Sequence, residues 1–343
     1  MKRIADLEIR RKRMIDVRKE KQVNPIQSEV LSLITVIRPI ILGLLYSSRK
    51  NLVDECGGYN NMKLKMLPQI HNHGDGDVGI CFEWAIHDAI RRNDPLVLER
   101  IVDSLKKSKI KDGNVTSILF GIEKSGSLSI LDTANDILTD NSRLLTGLRA
   151  QPVKLKRHLP RIVGSFKNSR TKNALPYSIS GLWKADLFIG SKNSDQWIGS
   201  TVKINPRDLE PAKGLRVGII PISQGKTDKV RMDEQKNLII CPVPYDQSFM
   251  ELFYTGWRVV QQFIFAHGKM PKEVALPNPA ERQVVKELVD RLEFPVIDVV
   301  DVLQAQSQKN LLESNQSSLS IETEIGNNQR IQTLIAPQPS LFD

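Results

Sequence analysis

Three charged residues stand inside apolar segments. Asp186 lies in "GLWKADLFIG" and Lys203 in "QWIGSTVKIN", two runs that read as β-strands joined by a polar turn. Glu83 lies in "ICFEWAIHDAI", on one helical stripe with Ile80, Ile86, His87 and Ile90. Strand side chains alternate, so Asp186 shares a face with Leu182, Lys184 and Phe188, and Lys203 shares one with Thr201 and Asn205. If the two strands are antiparallel neighbours, Asp186 and Lys203 can point to the same side. A carboxylate on an apolar surface is costly unless it is paired or ligates something. Two carboxylates with backbone oxygens suit a hard divalent cation such as Mg²⁺. A cation held there would polarise a phosphoryl oxygen and acidify water, and an adjacent amine can orient or deprotonate that water. These residue types therefore point to phosphodiester hydrolysis. The plain alternative is a hairpin salt bridge beside a helix-end Glu.

Several elements must position these groups. Residues 78–92 and 95–107 have apolar residues at three- and four-residue intervals and predict amphipathic helices. Period-two patterning predicts strands over 179–190, 196–204, 215–222 and 237–243. Helices are predicted over 247–266 and 279–292, followed by a strand in "FPVIDVVDVL". Residues 113–148 read as mixed and mostly helical, and 51–76 as loop-rich. Residues 25–50 read as a pair of apolar helices broken at Arg38-Pro39. That break leaves less than the run of about 20 clean apolar residues a spanning helix needs, so a core helix is expected there rather than a membrane segment. Beyond Leu303 the chain is polar and aperiodic, and 304–343 is expected to be a disordered tail. The fold class expected is α/β, a mixed central β-sheet flanked by helices. The expected parts are a basic arm and helical region over 1–76, an α/β domain over 77–303 with a basic insertion at about 113–178, and the tail.

The order helix Glu83, strand Asp186 and strand "TVK" (Thr201, Val202, Lys203) resembles the PD-(D/E)XK nuclease superfamily, over roughly residues 78–245. The resemblance implies a restriction-endonuclease-like core and a Mg²⁺- or Mn²⁺-dependent endonuclease. It implies Asp186, Glu83 and the Val202 carbonyl as metal ligands. It also implies Lys203 as the water-activating residue, with Asp186 and Glu83 completing the catalytic set. One departure is that Thr201 stands where the family carries an acid, so Glu83 must supply the missing carboxylate or the site is weak or inactive. Another is the long gap between Glu83 and Asp186.

The 343 residues carry a net charge of +10, which favours a polyanionic partner, nucleic acid before membrane. The stretch 151–178 holds seven basic residues and no acid: Lys154, Lys156, Arg157, Arg161, Lys167, Arg170 and Lys172. An acid-free run of this kind is what phosphate neutralisation requires, and these seven are the candidate DNA contacts. The arm over 1–24 carries nine basic residues against four acids and reads as a solvated helix or a strap along a phosphate backbone. Three dispersed cysteines imply neither a disulfide framework nor a cysteine zinc site. No apolar core follows the N-terminal charges, so a cytoplasmic protein is expected. "HNH" at His71 to His73, with Asp75 and Asp77, could hold a metal but reads first as a polar loop. His87 is one turn from Glu83 and reads first as a core histidine. The last residues, "QPSLFD", resemble the bacterial sliding-clamp-binding motif through Gln338, Leu341 and Phe342. The expected partners are DNA and a sliding clamp, with a homodimer left open. The alternative reading is a non-catalytic DNA-binding or adaptor protein with a degenerate nuclease fold.

Overall fold

The computed structural model describes residues 25–71, 76–111, 113–120, 137–145, 152–160, 185–191, 193–212, 214–222, 228–245, 249–272 and 275–306. They form a mixed α/β fold in which helices flank a central mixed sheet of eight strands. In chain order the elements are α1 (Pro25–Ser47), α2 (Asp77–Arg91), α3 (Pro95–Lys107), β1 (Val115–Leu119), β2 (Arg143–Leu145), β3 (Val153–Lys154), β4 (Leu187–Ser191), β5 (Gln196–Val202), β6 (Arg216–Pro221), β7 (Arg231–Asp233), β8 (Leu238–Val243), α4 (Phe249–Phe265) and α5 (Pro279–Val289). A final helix, α6, covers 296–306.

Local chemistry accounts for several boundaries. Asp94 caps α3 by accepting from the Leu96 and Val97 N–H groups, and Pro95 follows at the first helical position. Asn278 and Pro279 repeat the device at α5, where the Asn278 side chain accepts from the Ala280 N–H. Pro39 lies inside α1 without ending it. Proline removes one backbone donor there, but Val36, Ile37, Ile40 and Ile41 around it are all buried and hold the helix in place. Residues 25–47 are therefore one helix rather than a broken pair, with a short helix at Lys50–Glu55 after it. By length and composition α1 could cross a membrane, but 61% of its apolar window is buried inside the fold. It packs against α2, α4 and α5 and shares their core, so α1 is continuous with the α/β body rather than part of a separate N-terminal region.

The sheet order is β1-β4-β5-β6-β8-β7. β4 is antiparallel to β1 and β5, β5 runs parallel to β6, and β6 runs parallel to β8. β4 occupies one edge of β5. The other edge is divided: β2 pairs with Gln196 to Ile198, and β6 takes over at Gly199. One sheet face carries Leu187, Ile189, Ile198, Val202, Val217, Ile219, Ile239 and Cys241 into the main helical core. The other carries Phe188 and Trp197 into a smaller core with Ile118, Phe120, Leu138, Leu144, Leu155 and Leu159.

Two expectations are corrected. The regular structure described within 113–148 is strand rather than helix: all five residues of β1 are buried, and β1 hydrogen-bonds β4 as part of the central sheet rather than lying in an insertion. "FPVIDVVDVL" is helical from 296. Its β-branched content suggests a strand, but Val296, Val299, Val300 and Leu303 are buried at i, i+3, i+4 and i+7, the helical spacing. The tail beyond 306 and the arm over 1–24 lie outside the described residues.

Candidate functional site

Asp186 immediately precedes β4 and is held on both sides. Its N–H donates to the Ser200 carbonyl at 2.7 Å, and its carbonyl accepts from the Phe120 N–H at 2.8 Å. The residue is buried. Oδ2 accepts from the Val202 N–H at 2.9 Å and from Lys203 Nζ at 3.3 Å. Lys203 follows β5, and its own N–H is tied to the Ile219 carbonyl of β6 at 3.0 Å. Its ammonium stands 3.9 Å from Glu83 Oε1 on α2. A helix, the start of one strand and the end of its antiparallel neighbour thus bring Glu83, Asp186 and Lys203 together. Lys203 is the outermost of the three, its side chain 33% exposed against 15% for Glu83 and 4% for Asp186. The cluster sits where the helical layer meets the ends of β4 and β5.

A fourth charged residue belongs to the cluster. Arg216 opens β6 opposite Gly199, two positions before Gly218, which pairs with Thr201. Thr201 and Arg216 share a sheet face, and Arg216 Nη1 donates to Thr201 Oγ1 at 3.2 Å. Both residues are buried. Burial lowers the Arg216 pKa, while the Asp186 and Glu210 carboxylates pull it back up. Arg216 was not expected from sequence: a charged residue at a strand start looks like an ordinary edge residue, and only the β5–β6 register reveals its neighbour.

Val202 was expected to offer its carbonyl; its N–H is what contacts Asp186, fixing the carboxylate's orientation. Among the described residues, no group of three or more His, Cys, Asp or Glu is arranged to hold a metal ion, so any cation here rests on the two carboxylates. His87 does not serve Glu83. Its Nδ1 lies 2.8 Å from Ser117 Oγ on β1, and burial, reinforced by the Arg91 charge, lowers its pKa to about 4, making it a neutral core histidine. His71 Nε2 bonds Asp77 Oδ2 at 2.8 Å; Asn72, His73 and Asp75 lie outside the described residues. The thiols of Cys81 and Cys241 are buried and their pKa values raised by that burial, the second to about 12, so they are core groups.

Of the seven candidate DNA contacts, Lys154, Lys156 and Arg157 are described; Arg161, Lys167, Arg170 and Lys172 are not. Lys154 stands across the β2–β3 ladder from Arg143, and Arg143 stands across from Gln196 at the first residue of β5. Lys203 lies beyond the last. At roughly 3.3 Å per residue these groups are about 20 Å apart along the strand. The described basic residues therefore lie at the opposite end of β5 from the carboxylates, not beside them. Lys154, Arg157 and Arg143 are exposed, and Lys156 pairs loosely with Asp140 at 3.7 Å. Gln338, Leu341 and Phe342 lie outside the described residues.

No protein family, no curated protein and no solved structure matches the chain.

Proposed function

We propose that the protein is a metal-dependent DNA endonuclease with a PD-(D/E)XK-type site on a restriction-endonuclease-like core. One observation carries this reading: Glu83, Asp186 and Lys203, from three separate elements, meet at a single ammonium. The donor set fits one Mg²⁺ or Mn²⁺, because Mg²⁺ keeps several waters and needs only one or two protein carboxylates. Asp186 and Glu83 would hold it. When bound, the ion would polarise a phosphoryl oxygen and acidify water. Lys203, the outermost of the three, is the movable partner, able to orient attacking water. Asp186 is fixed by the Val202 N–H, so its lone pairs have one direction. The exposed basic groups Arg143, Lys154 and Arg157 would hold the phosphate backbone a few base pairs from the cut.

Plasmid nicking in Mg²⁺ or Mn²⁺ tests the reading. Lys203→Ala and Asp186→Asn are expected to lower the nicking rate at least about 100-fold, the order of loss seen when a positioned electrostatic group is removed. DNA binding without cleavage by the wild type would reject it. That outcome is what a second reading expects: a non-catalytic DNA-binding or adaptor protein with a degenerate nuclease fold. Thr201 bonded to Arg216, in place of an acid, favours it. The endonuclease reading goes with a cytoplasmic protein acting in host defence or DNA processing near replication. Removing Gln338 to Asp343 should abolish sliding-clamp pull-down and leave nicking intact.

A further inference from the structure

The two carboxylates are already balanced by two cations. Lys203 lies 3.3 Å from Asp186 and is partly exposed, so it can move aside. Arg216 cannot: it is 5% exposed, its head is bonded to Thr201 Oγ1, and its Cα is fixed by pairing with Gly199 and Leu238 in the middle of the sheet. A side chain at Gly218, opposite Thr201, would meet Leu209 Cδ2 at 3.2 Å, so Leu209 covers the sheet there. The Asp186 carboxylate, at the start of β4, and the Glu210 carboxylate, in the loop before β6, raise the Arg216 pKa against the lowering by burial. A guanidinium stays charged in proteins, so its positive charge is permanent.

We infer that Arg216 is a resident counter-ion for Asp186, bonded through Thr201 at the place of the missing acid, and that it holds down the site's affinity for a divalent cation. The inference rests on reading Asp186 and Glu83 as cation ligands. Its physical content is like-charge repulsion between the fixed guanidinium and an incoming ion in a partly desolvated site. An acid introduced at position 201 would pair with Arg216 before it could ligate a metal.

Mn²⁺ titration of the full chain, followed by electron paramagnetic resonance, tests this, with circular dichroism to confirm folding. Arg216→Gln, which can still donate to Thr201, should bind Mn²⁺ about tenfold more tightly than wild type. Arg216→Lys keeps the charge and should stay within about threefold of wild type. Thr201→Glu alone should also stay within about threefold, whereas Thr201→Glu with Arg216→Gln should be the tightest of the set. Adding Asp186→Asn should erase every gain. Equal affinity for wild type and Arg216→Gln overturns the inference, as does Thr201→Glu binding as tightly as the double variant. Arg216→Lys behaving like Arg216→Gln would show that the hydrogen bond matters rather than the charge, and also overturns it. Failure of the endonuclease reading looks different. A gain in Mn²⁺ affinity in Arg216→Gln with no nicking by any variant keeps the counter-ion and removes the nuclease.

Discussion

Asp88 and Asp186 are both buried carboxylates flanked by basic side chains, and Asp88 lies five residues from Glu83 on α2. They differ in what surrounds the charge. Asp88 is gripped by Arg38 from α1 through Oδ1 and by Arg92 through Oδ2 at 2.6 Å. Neither contact brings in a second acid. Asp186 takes a backbone N–H and a lysine, and that lysine reaches on to a second carboxylate. The Asp88 cluster fastens two helices together. The Asp186 cluster crowds two acids around one movable amine, with the fixed Arg216 guanidinium beside Thr201 as a second cation. Burial of an acid alone does not mark a candidate site; a neighbouring acid and a displaceable partner are what single out Asp186 as one.

Several measurements would break or sharpen this contrast. Asp88→Ala should have the largest effect on stability, about 3 kcal/mol by urea unfolding, because it strands Arg38 at a helix interface. That loss should be independent of Mn²⁺. A change below about 1 kcal/mol would remove the structural role assigned to Asp88. The next effect belongs to His87, adjacent to Asp88, whose pKa is lowered to about 4 from an ordinary 6.5. The unfolded chain then binds more protons between these values. Stability should be fully present above pH 6.5 and fall as pH drops towards 4, by up to about 3 kcal/mol. Unfolding curves at about pH 7, 5.5 and 4.5 check this, and His87→Gln should flatten the dependence.

Asp186→Asn should cost less, about 1 to 2 kcal/mol, since the Val202 N–H and Lys203 can still donate to the amide oxygen and the Glu210 carboxylate still offsets the Arg216 charge. It should, however, remove any rise in melting temperature produced by Mn²⁺. Glu83→Gln should be smallest, within about 0.5 kcal/mol, because the amide keeps the side chain's shape and the ion pair lost to partly exposed Lys203 is long, at 3.9 Å. A large loss there would make Glu83 a structural residue like Asp88.

Much of the site was legible in the sequence because its signals are local. Alternation placed Asp186 and Lys203 towards each other, and the apolar stripe of α2 exposed Glu83 as an anomaly. The remainder depended on pairing between distant segments. Arg216 met Thr201 only because β5 and β6 run parallel in one particular register, and His87 found Ser117 across 30 residues of chain. The helix over 296–306 was misread for another reason: valine and isoleucine favour strands, and that preference obscured a helical spacing already present. β1 was missed because "VTSIL", buried on both faces, shows no alternation.

The shared edge of β5 sets an order in which the molecule comes apart. β2 holds on by three residues, with Leu144 in the smaller core and Leu145 against the main one, whereas β4 and β6 grip β5 over five and four. The hairpin of β2 and β3 can peel away while the ladders around Asp186 and Lys203 stay closed. Amide protons of Arg143 to Leu145 should therefore trade for deuterium well before those of β4 or β6, and the exposed basic groups would ride on the first piece to loosen.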